Sequence, residues 1–416
     1  MKKILVITWF YPPVNSSEGI VTYKLLNNSK FEYDVFTQKN SASWSYGKED
    51  YLENNKNINC IYSVSDNLKD WKKEAINYFN QNKDKYDIVM TRSMPPESHE
   101  IGCEIKKIKP SVKWIASFGD PIANNPYTIL GQSFNPYGIG ESSSLMRIFN
   151  PIRILKSFTY KFKRYLRKKL DHSKIEKKTI KYCDFVIFNS KEQCDYMLNG
   201  KEKEHIILAH SYEEKLFNNK KNKDDNSKIR IAYIGHLDKI RTPKIFLQAI
   251  NELKHDDINL KNKLEVEFYG NLFKDDKLYI FDNELYDIVK YKNQVTYLDS
   301  LKKMKEVDFL LHVDANLSSV VNENIFFAAK LADYIGSRTP IISITMLDGA
   351  SANILRKIGA LVLTYSVSDV KNYLRKIVYF DYRFNLNEKE CEKYSAKVVA
   401  GEFDEYVEKN FIKTRD

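Results

Sequence analysis

Short, mostly apolar runs recur along the chain, separated by longer stretches in which apolar side chains return every third or fourth position. Runs at 4–7, 33–36, 86–90, 112–116, 184–188 and 206–209 read as buried strands. Helical periodicity fills the intervals after Val21, near 67–82, 97–108 and 175–180, and from Asn189 and Ser190 onward. The pattern restarts at 229–235 and continues with strands at 264–269, 295–298, 308–313, 341–344 and 361–363, and with a helix over 244–253. Continuous apolar runs suit parallel strands covered on both faces. Strands alternating with helices predict α/β architecture, two doubly wound domains whose sites lie at the carboxyl ends of the strands. The polar run 218–227, all Asn, Lys, Asp and Ser, reads as the linker between a first domain at 1–217 and a second at 228–387.

The densest signal lies at 324–344. Phe327, Leu331, Tyr334 and Ile335 share one helical face, Gly336 and Ser337 end the helix, and Pro340 opens the apolar run 341–344. Lys330 and Asp333 sit three residues apart on one side of that helix. Beside the free N–H groups of a helix N-terminus, such a cation and carboxylate can hold a phosphate and a ribose together. The same spacing also describes a solvated pair on a core helix.

Other strand ends carry candidate chemistry. The loop from Thr8 to Ile20 joins the first strand to a helix and contains Gly19, an anion site in outline but with one glycine only. His99 follows Thr91-Arg-Ser-Met-Pro-Pro-Glu-Ser, and Asp120 lies in Phe118-Gly-Asp-Pro121. Each has a plainer reading, His99 as a partly buried helix residue and Asp120 as the start of an Asp-Pro turn. Arg241 stands just before a helix whose first turn suits Pro243, so guanidinium and helix dipole would converge on an anion. Gly235, His236, Gly270 and Asn271 close two strands, and Glu323 enters the 324–335 helix as a donor-sugar candidate or as an ordinary loop acid.

Phe327-Ala-Ala-Lys-Leu-Ala-Asp-Tyr334, followed by Gly336-Ser-Arg-Thr-Pro-Ile-Ile342, resembles the nucleotide-sugar-binding segment of family 4 glycosyltransferases, retaining enzymes of the GT-B fold. The resemblance extends to Tyr11-Pro-Pro13 with its glycine loop and to residues 231–243. It implies that Lys330 contacts the donor diphosphate, that Asp333 binds the ribose hydroxyls and that the base packs near Gly270 and Asn271. It also implies a donor-binding role for Leu331 and a helix at 388–416 that crosses back to the first domain. Where relatives have a glutamate eight residues before the ribose carboxylate, this chain has Ile325. Ala328 and Ala329 replace Pro-Ser, Gly119 and Ile122 replace an arginine and a tryptophan around Asp120, and His236 and Arg241 replace the usual arginine and lysine. The implied reaction moves a sugar from a nucleoside diphosphate to an acceptor hydroxyl. Arg241, Lys330, Asp120 and His99 are the candidate catalytic groups, and the leaving phosphate is able to take the acceptor proton itself. No cofactor or metal is expected, because no Asp-x-Asp pair ends a strand and Arg241 and Lys330 can neutralise the diphosphate. The departures leave room for a GT-B-shaped binding or scaffold protein without transfer activity.

Composition narrows the setting. A chain of 416 residues, 43% hydrophobic and 13% aromatic, can fill two cores. A net charge of +11 favours an anionic partner. Five scattered cysteines read as thiols in a reducing cytoplasm. The start is too short for a secretory signal, and no apolar run approaches the ~18 residues of a spanning helix. Residues 146–170 hold nine Lys/Arg and no acid, interleaved with apolar residues at helical spacing. Such a segment suits an anionic membrane surface, at about 1 kcal/mol per basic residue. A plain solvated helix and a nucleic-acid contact are the other readings. Lipid is favoured over nucleic acid because of the helical spacing and because no recognised nucleic-acid motif appears, so nucleic acid is not an expected partner. The expected partners are a nucleoside-diphosphate-sugar, a glycan or lipid-linked acceptor and an anionic membrane. The expected place is the cytoplasm, peripheral at the inner face of the cell membrane.

Overall fold

The computed structural model describes residues 3–14, 16–39, 55–134, 169–217 and 228–412. The 218–227 run and the basic stretch up to residue 168 lie outside them.

The first domain is a seven-stranded sheet with β1 Lys3–Ile7, β2 Glu32–Gln38, β3 Ile58–Ser63, β4 Ile88–Arg92, β5 Lys113–Ser117, β6 Phe185–Phe188 and β7 His205–Ile207, in the order β3-β2-β1-β4-β5-β6-β7. Around it run α1 Ser17–Asn28, α2 Leu68–Asn82, α3 Glu97–Ile108, α4 Pro126–Phe134, α5 over 169–182 and α6 Lys191–Leu198. The second sheet has β8 Ile229–Ile234, β9 Leu264–Tyr269, β10 Val289–Lys292, β11 Phe309–Val313, β12 Ile341–Ile344 and β13 Leu361–Leu363, ordered β10-β9-β8-β11-β12-β13. Its helices are α7 Lys244–Asp256, α8 Lys274–Asp282, α9 Tyr297–Lys305, α10 Ala329–Ser337, α11 Ala350–Lys357 and α12 Val367–Tyr379, followed by α13 Glu388–Glu392 and α14 Ala396–Val407. Strand pairing is parallel in both sheets. The apolar runs are the central strands, and Ile4, Leu5, Val6 and Ile7 are all fully buried.

In each sheet the chain starts at the centre, winds to one edge, and returns to wind toward the other. The reversals fall between β1 and β4 and between β8 and β11. A ligand crevice opens at the carboxyl ends of strands where the winding reverses. Here the two crevices face each other.

Three expected elements differ. Residues 295–298 are not a strand, because the Thr296 side chain accepts from the Asp299 N–H and caps α9. The edge strand is β10 instead, missed because only Val289 of its four residues is buried. The helix expected from 324 begins at Ala329, because the Asn324 backbone is spent on Asp348 and Ala350 at 3.0 and 2.7 Å. Lys330 is thereby the second residue of α10.

The helix expected over 388–416 is broken at Ser395, which caps α14. Ala396 N–H bonds the Tyr212 carbonyl at 2.8 Å, and Val399, Ala400, Phe403 and Val407 pack into the first domain's core with Leu25 and Phe31. The described chain therefore returns to the first domain through α14. No helix among the described residues is long and apolar enough to cross a membrane.

Candidate functional site

A cavity of about 630 Å³ lies between the facing strand ends and is lined from both domains. That is the size range of small-molecule sites. Eight of the sequence candidates line it: Asp120, Gly235, His236, Arg241, Gly270, Asn271, Lys330 and Asp333.

The second-domain wall concentrates positive charge. Gly235 has φ +133°, and a Cβ there would lie 3.1 Å from Lys330 Nζ. Gly270 has φ +118°, and its Cβ would overlap the Gly235 carbonyl oxygen. Both positions therefore need glycine, which lets the β8 and β9 ends approach each other and the lysine. Lys330 Nζ donates to the Tyr233 hydroxyl and lies 3.9 Å from that ring's centroid. Burial, and then the Arg241 guanidinium, push the Lys330 ammonium well below its usual range, with Asp314 opposing. Two cations repelling each other in a cavity are stabilised by an anion between them.

Arg241 is held from both sides of the cleft. Its backbone N–H bonds Asp238 Oδ1 at 2.8 Å and its guanidinium faces the Tyr127 ring at 5.5 Å. The Tyr127 hydroxyl, from the first domain, donates to Asp238 Oδ2 at 2.7 Å. The Arg241 Nε has no hydrogen-bond partner among the described residues. Behind the cations stands Asp314, fixed by Asn324 Nδ2 at 3.0 Å and Thr345 Oγ1 at 2.8 Å, with His312 Nε2 3.4 Å away.

Asp333, one turn along α10 from Lys330, is 5% exposed. Its Oδ1 accepts from Lys24 Nζ at 2.6 Å, and the Tyr297 hydroxyl reaches both carboxylate oxygens at 3.1 and 3.2 Å. Burial raises its carboxyl above the usual range, and Lys24 works against that rise. The surface-pair reading of Lys330 and Asp333 does not describe Asp333, which is buried, while Lys330 is half-buried and lines the cavity.

The first-domain wall carries acids. Arg92, 3% exposed, bonds Glu18 Oε2 at 2.8 Å and Ser117 Oγ at 2.9 Å. Any Cβ on Gly119 would collide with Glu18 Oε1. The glycine standing where an arginine was expected thus makes room for Glu18, which Arg92 holds from the end of the neighbouring β4 without lining the cavity itself. Asp120 beside it has a carboxyl raised to about 6 by burial and by Glu18, with Arg241 opposing. His210, 8% exposed, also lines the cavity with Nδ1 unpartnered, and burial lowers its imidazole to about 3.

Four candidates lie elsewhere. His99 is fully buried, with Nδ1 2.7 Å from Thr91 Oγ1 and its ring 4.5 Å from Phe118, and burial holds it neutral. It belongs to the core under β4 and β5 and does not line the cavity: it is a helix histidine, as the plainer reading had it, but fully and not partly buried. Leu331 is a core residue, 0% exposed. Glu323 stands outside the lining; burial, Glu192 and Asp195 raise its carboxyl. Gly19 serves the α1 cap, its N–H bonding Ser16 Oγ at 3.0 Å, while its neighbours Glu18 and Ile20 line the cavity.

Glu18, Lys24, Arg92, His210 and Asp314 were not singled out from the sequence. The strand-end position of Asp314 was the available signal, whereas the others matter through partners far away along the chain. Among the described residues no His, Cys, Asp and Glu cluster could hold a metal ion.

No protein-family model and no curated protein matches the sequence. Solved structures do match. The chain is similar to a sucrose-phosphate synthase from Thermosynechococcus elongatus, with 12% identity, 99% of each chain covered and a TM-score of 0.65. It is also similar to WaaB, a lipopolysaccharide outer core galactosyltransferase, with 12% identity over 98% of this chain and 100% of that one and a TM-score of 0.61. A Listeria monocytogenes protein, provisionally described as a UDP-N-acetylglucosamine 2-epimerase, matches at 10% identity, with 100% and 98% covered and a TM-score of 0.56. At such identities the likeness is one of fold, the GT-B arrangement of two facing α/β domains that the sheet orders also display.

Proposed function

We propose that this protein is a retaining glycosyltransferase that moves a sugar from a nucleoside diphosphate to an acceptor hydroxyl without a metal. The observation that carries the reading is the pair of Arg241, just before α7, and Lys330, in the first turn of α10, two cations lining one cavity with Asp333 a turn along α10. A diphosphate placed between them gains charge-assisted hydrogen bonds and offsets the Arg241 repulsion that adds to burial in depressing Lys330. The same groups stabilise the charge that grows on the diphosphate as the glycosidic bond breaks. Asp333 takes the ribose, and the space beside Gly270 and Asn271 takes the base.

The sugar then faces the first-domain wall, where Glu18 and Asp120 can accept from hydroxyls. The departing phosphate takes the acceptor proton on the same face, so none of the wall residues must act as base. The basic stretch 146–170 would hold the enzyme at an anionic membrane surface on the cytoplasmic side, where a lipid-linked or surface-polysaccharide acceptor is presented.

The test is a thermal-shift panel of UDP, GDP, ADP and CMP with their sugar forms. One nucleoside diphosphate should raise the melting temperature of the wild type and not of Lys330→Ala/Asp333→Ala. No shift from any of them would remove the reading. A second reading, a binding protein without transfer activity, is favoured by Ile325, which is 2% exposed and gives its carbonyl to Ser190 Oγ at 2.8 Å instead of offering a carboxylate. Donor hydrolysis that disappears in Arg241→Ala would exclude it. Epimerisation of the donor sugar without an acceptor would replace transfer by the other chemistry seen on this fold.

A further inference from the structure

Lys24 belongs to the first domain, yet its ammonium also reaches the second. It lies on the inner face of α1, 1% exposed, and donates to Asp333 Oδ1 at 2.6 Å and to the Ser211 carbonyl at 2.9 Å. The Tyr297 ring stands 5.5 Å from the same nitrogen. A buried lysine needs such partners, because an ammonium without them is strongly disfavoured away from water. Asp333 in turn lines the cavity, and its Oδ2 receives only the shared Tyr297 hydroxyl among the hydrogen bonds seen, so an acceptor position remains on the ligand side.

We propose that Lys24 is a positioning residue for the donor: supplied by the opposite domain, it pairs with Asp333 Oδ1 and orients the carboxylate so that the open position on Oδ2 accepts from the ribose hydroxyls. The inference rests on the donor-site reading above. It follows from two facts. Burial alone drives a carboxyl toward its protonated form, in which one oxygen ceases to be a full acceptor for a diol. The cation that opposes this comes from α1, so the ribose contact is complete only while the two domains are closed on each other as they are here. Donor affinity and domain closure are therefore coupled through one ion pair, reciprocally, as any such linkage requires.

A strut that merely ties the domains would show the same contact, and the ribose separates the two. The nucleoside diphosphate that binds the wild type most tightly, chosen from UDP, GDP and ADP, is compared with its 2′,3′-dideoxy form by calorimetry on wild type, Lys24→Met and Lys24→Arg. The expected result is a roughly tenfold or greater loss of affinity for the ribo form in Lys24→Met, a change under about twofold for the dideoxy form, and substantial recovery in Lys24→Arg, which restores the charge. Equal losses for both forms would overturn the proposal and leave a strut. If Lys24→Met does not fold, Lys24→Gln provides the same comparison, since it keeps a donor toward Ser211 and removes the charge. Failure of every nucleotide to bind the wild type would be a failure of the donor-site reading itself, visible before any variant is made.

Discussion

Arg92 bonds Glu18 across 2.8 Å at the floor of the cleft, although 74 residues separate them in sequence. Glu18 is there because α1 begins after the β1 loop, and Arg92 because it ends β4, the strand beside β1. A guanidinium that is 3% exposed depends on that carboxylate, since Ser117 is its other side-chain partner.

Glu18→Gln should therefore cost about 1–3 kcal/mol, the usual penalty for weakening a buried charged partner, read as a lower urea midpoint with unchanged slope. The acceptor KM should rise more than the donor KM, because Glu18 lines only the first-domain wall. An equal rise in both would show that Glu18 acts on the whole cleft.

Arg241→Ala and Lys330→Ala should each lower kcat by about 100- to 1,000-fold, the range for losing one preorganised group at a developing charge. The double variant should fall well short of the product of the two, because both act on the same diphosphate. Steady-state rates with saturating donor decide this.

Asp120 supplies a pH prediction with a definite sign. Its folded carboxyl titrates near 6, above the ordinary value of 3.8, so the native state holds its proton more tightly than the unfolded chain. The stability tied to that proton is complete below about pH 4 and is lost as pH rises through 6. Asp120→Asn should thus melt higher than wild type at pH 8 and no higher at pH 4. If the ionised form orients the acceptor, the wild-type rate should climb through pH 6 and the Asn variant should lack that limb.

Neutralising Lys161, Lys163, Arg164, Arg167, Lys168 and Lys169 together should abolish co-sedimentation with vesicles rich in anionic lipid, and binding by the wild type should weaken as salt is raised. Co-sedimentation unaffected by the substitutions would end the membrane proposal.

Much of the scaffold was legible because its signals are local. Runs such as 4–7 and 309–311 are apolar on both faces, and only a central parallel strand has two covered faces. Lys330 and Asp333 share a side of α10 whatever else the protein does, since three residues make nearly a full turn. Arg241 sits before α7 for a similarly local reason. The edge strand β10 and the capped start of α9 were misread because Val289 to Lys292 carry little burial signal, and because Thr296 and Asp299 act through one hydrogen bond that periodicity does not register.

By itself, then, the sequence determined the two wound sheets and which residues stand at their strand ends, since both follow from short-range periodicity and turn chemistry. The tertiary structure decided the pairings. Lys24 reads as one polar residue in a helix until Asp333, 309 positions later, explains its burial. His99 reads as a cleft residue until Thr91 and Phe118 enclose it. Gly119 reads as a lost arginine until Glu18 occupies its space. Apolar burial is set by the side chain's own chemistry, but the stability of a buried charge depends on a partner that only the folded chain brings within reach.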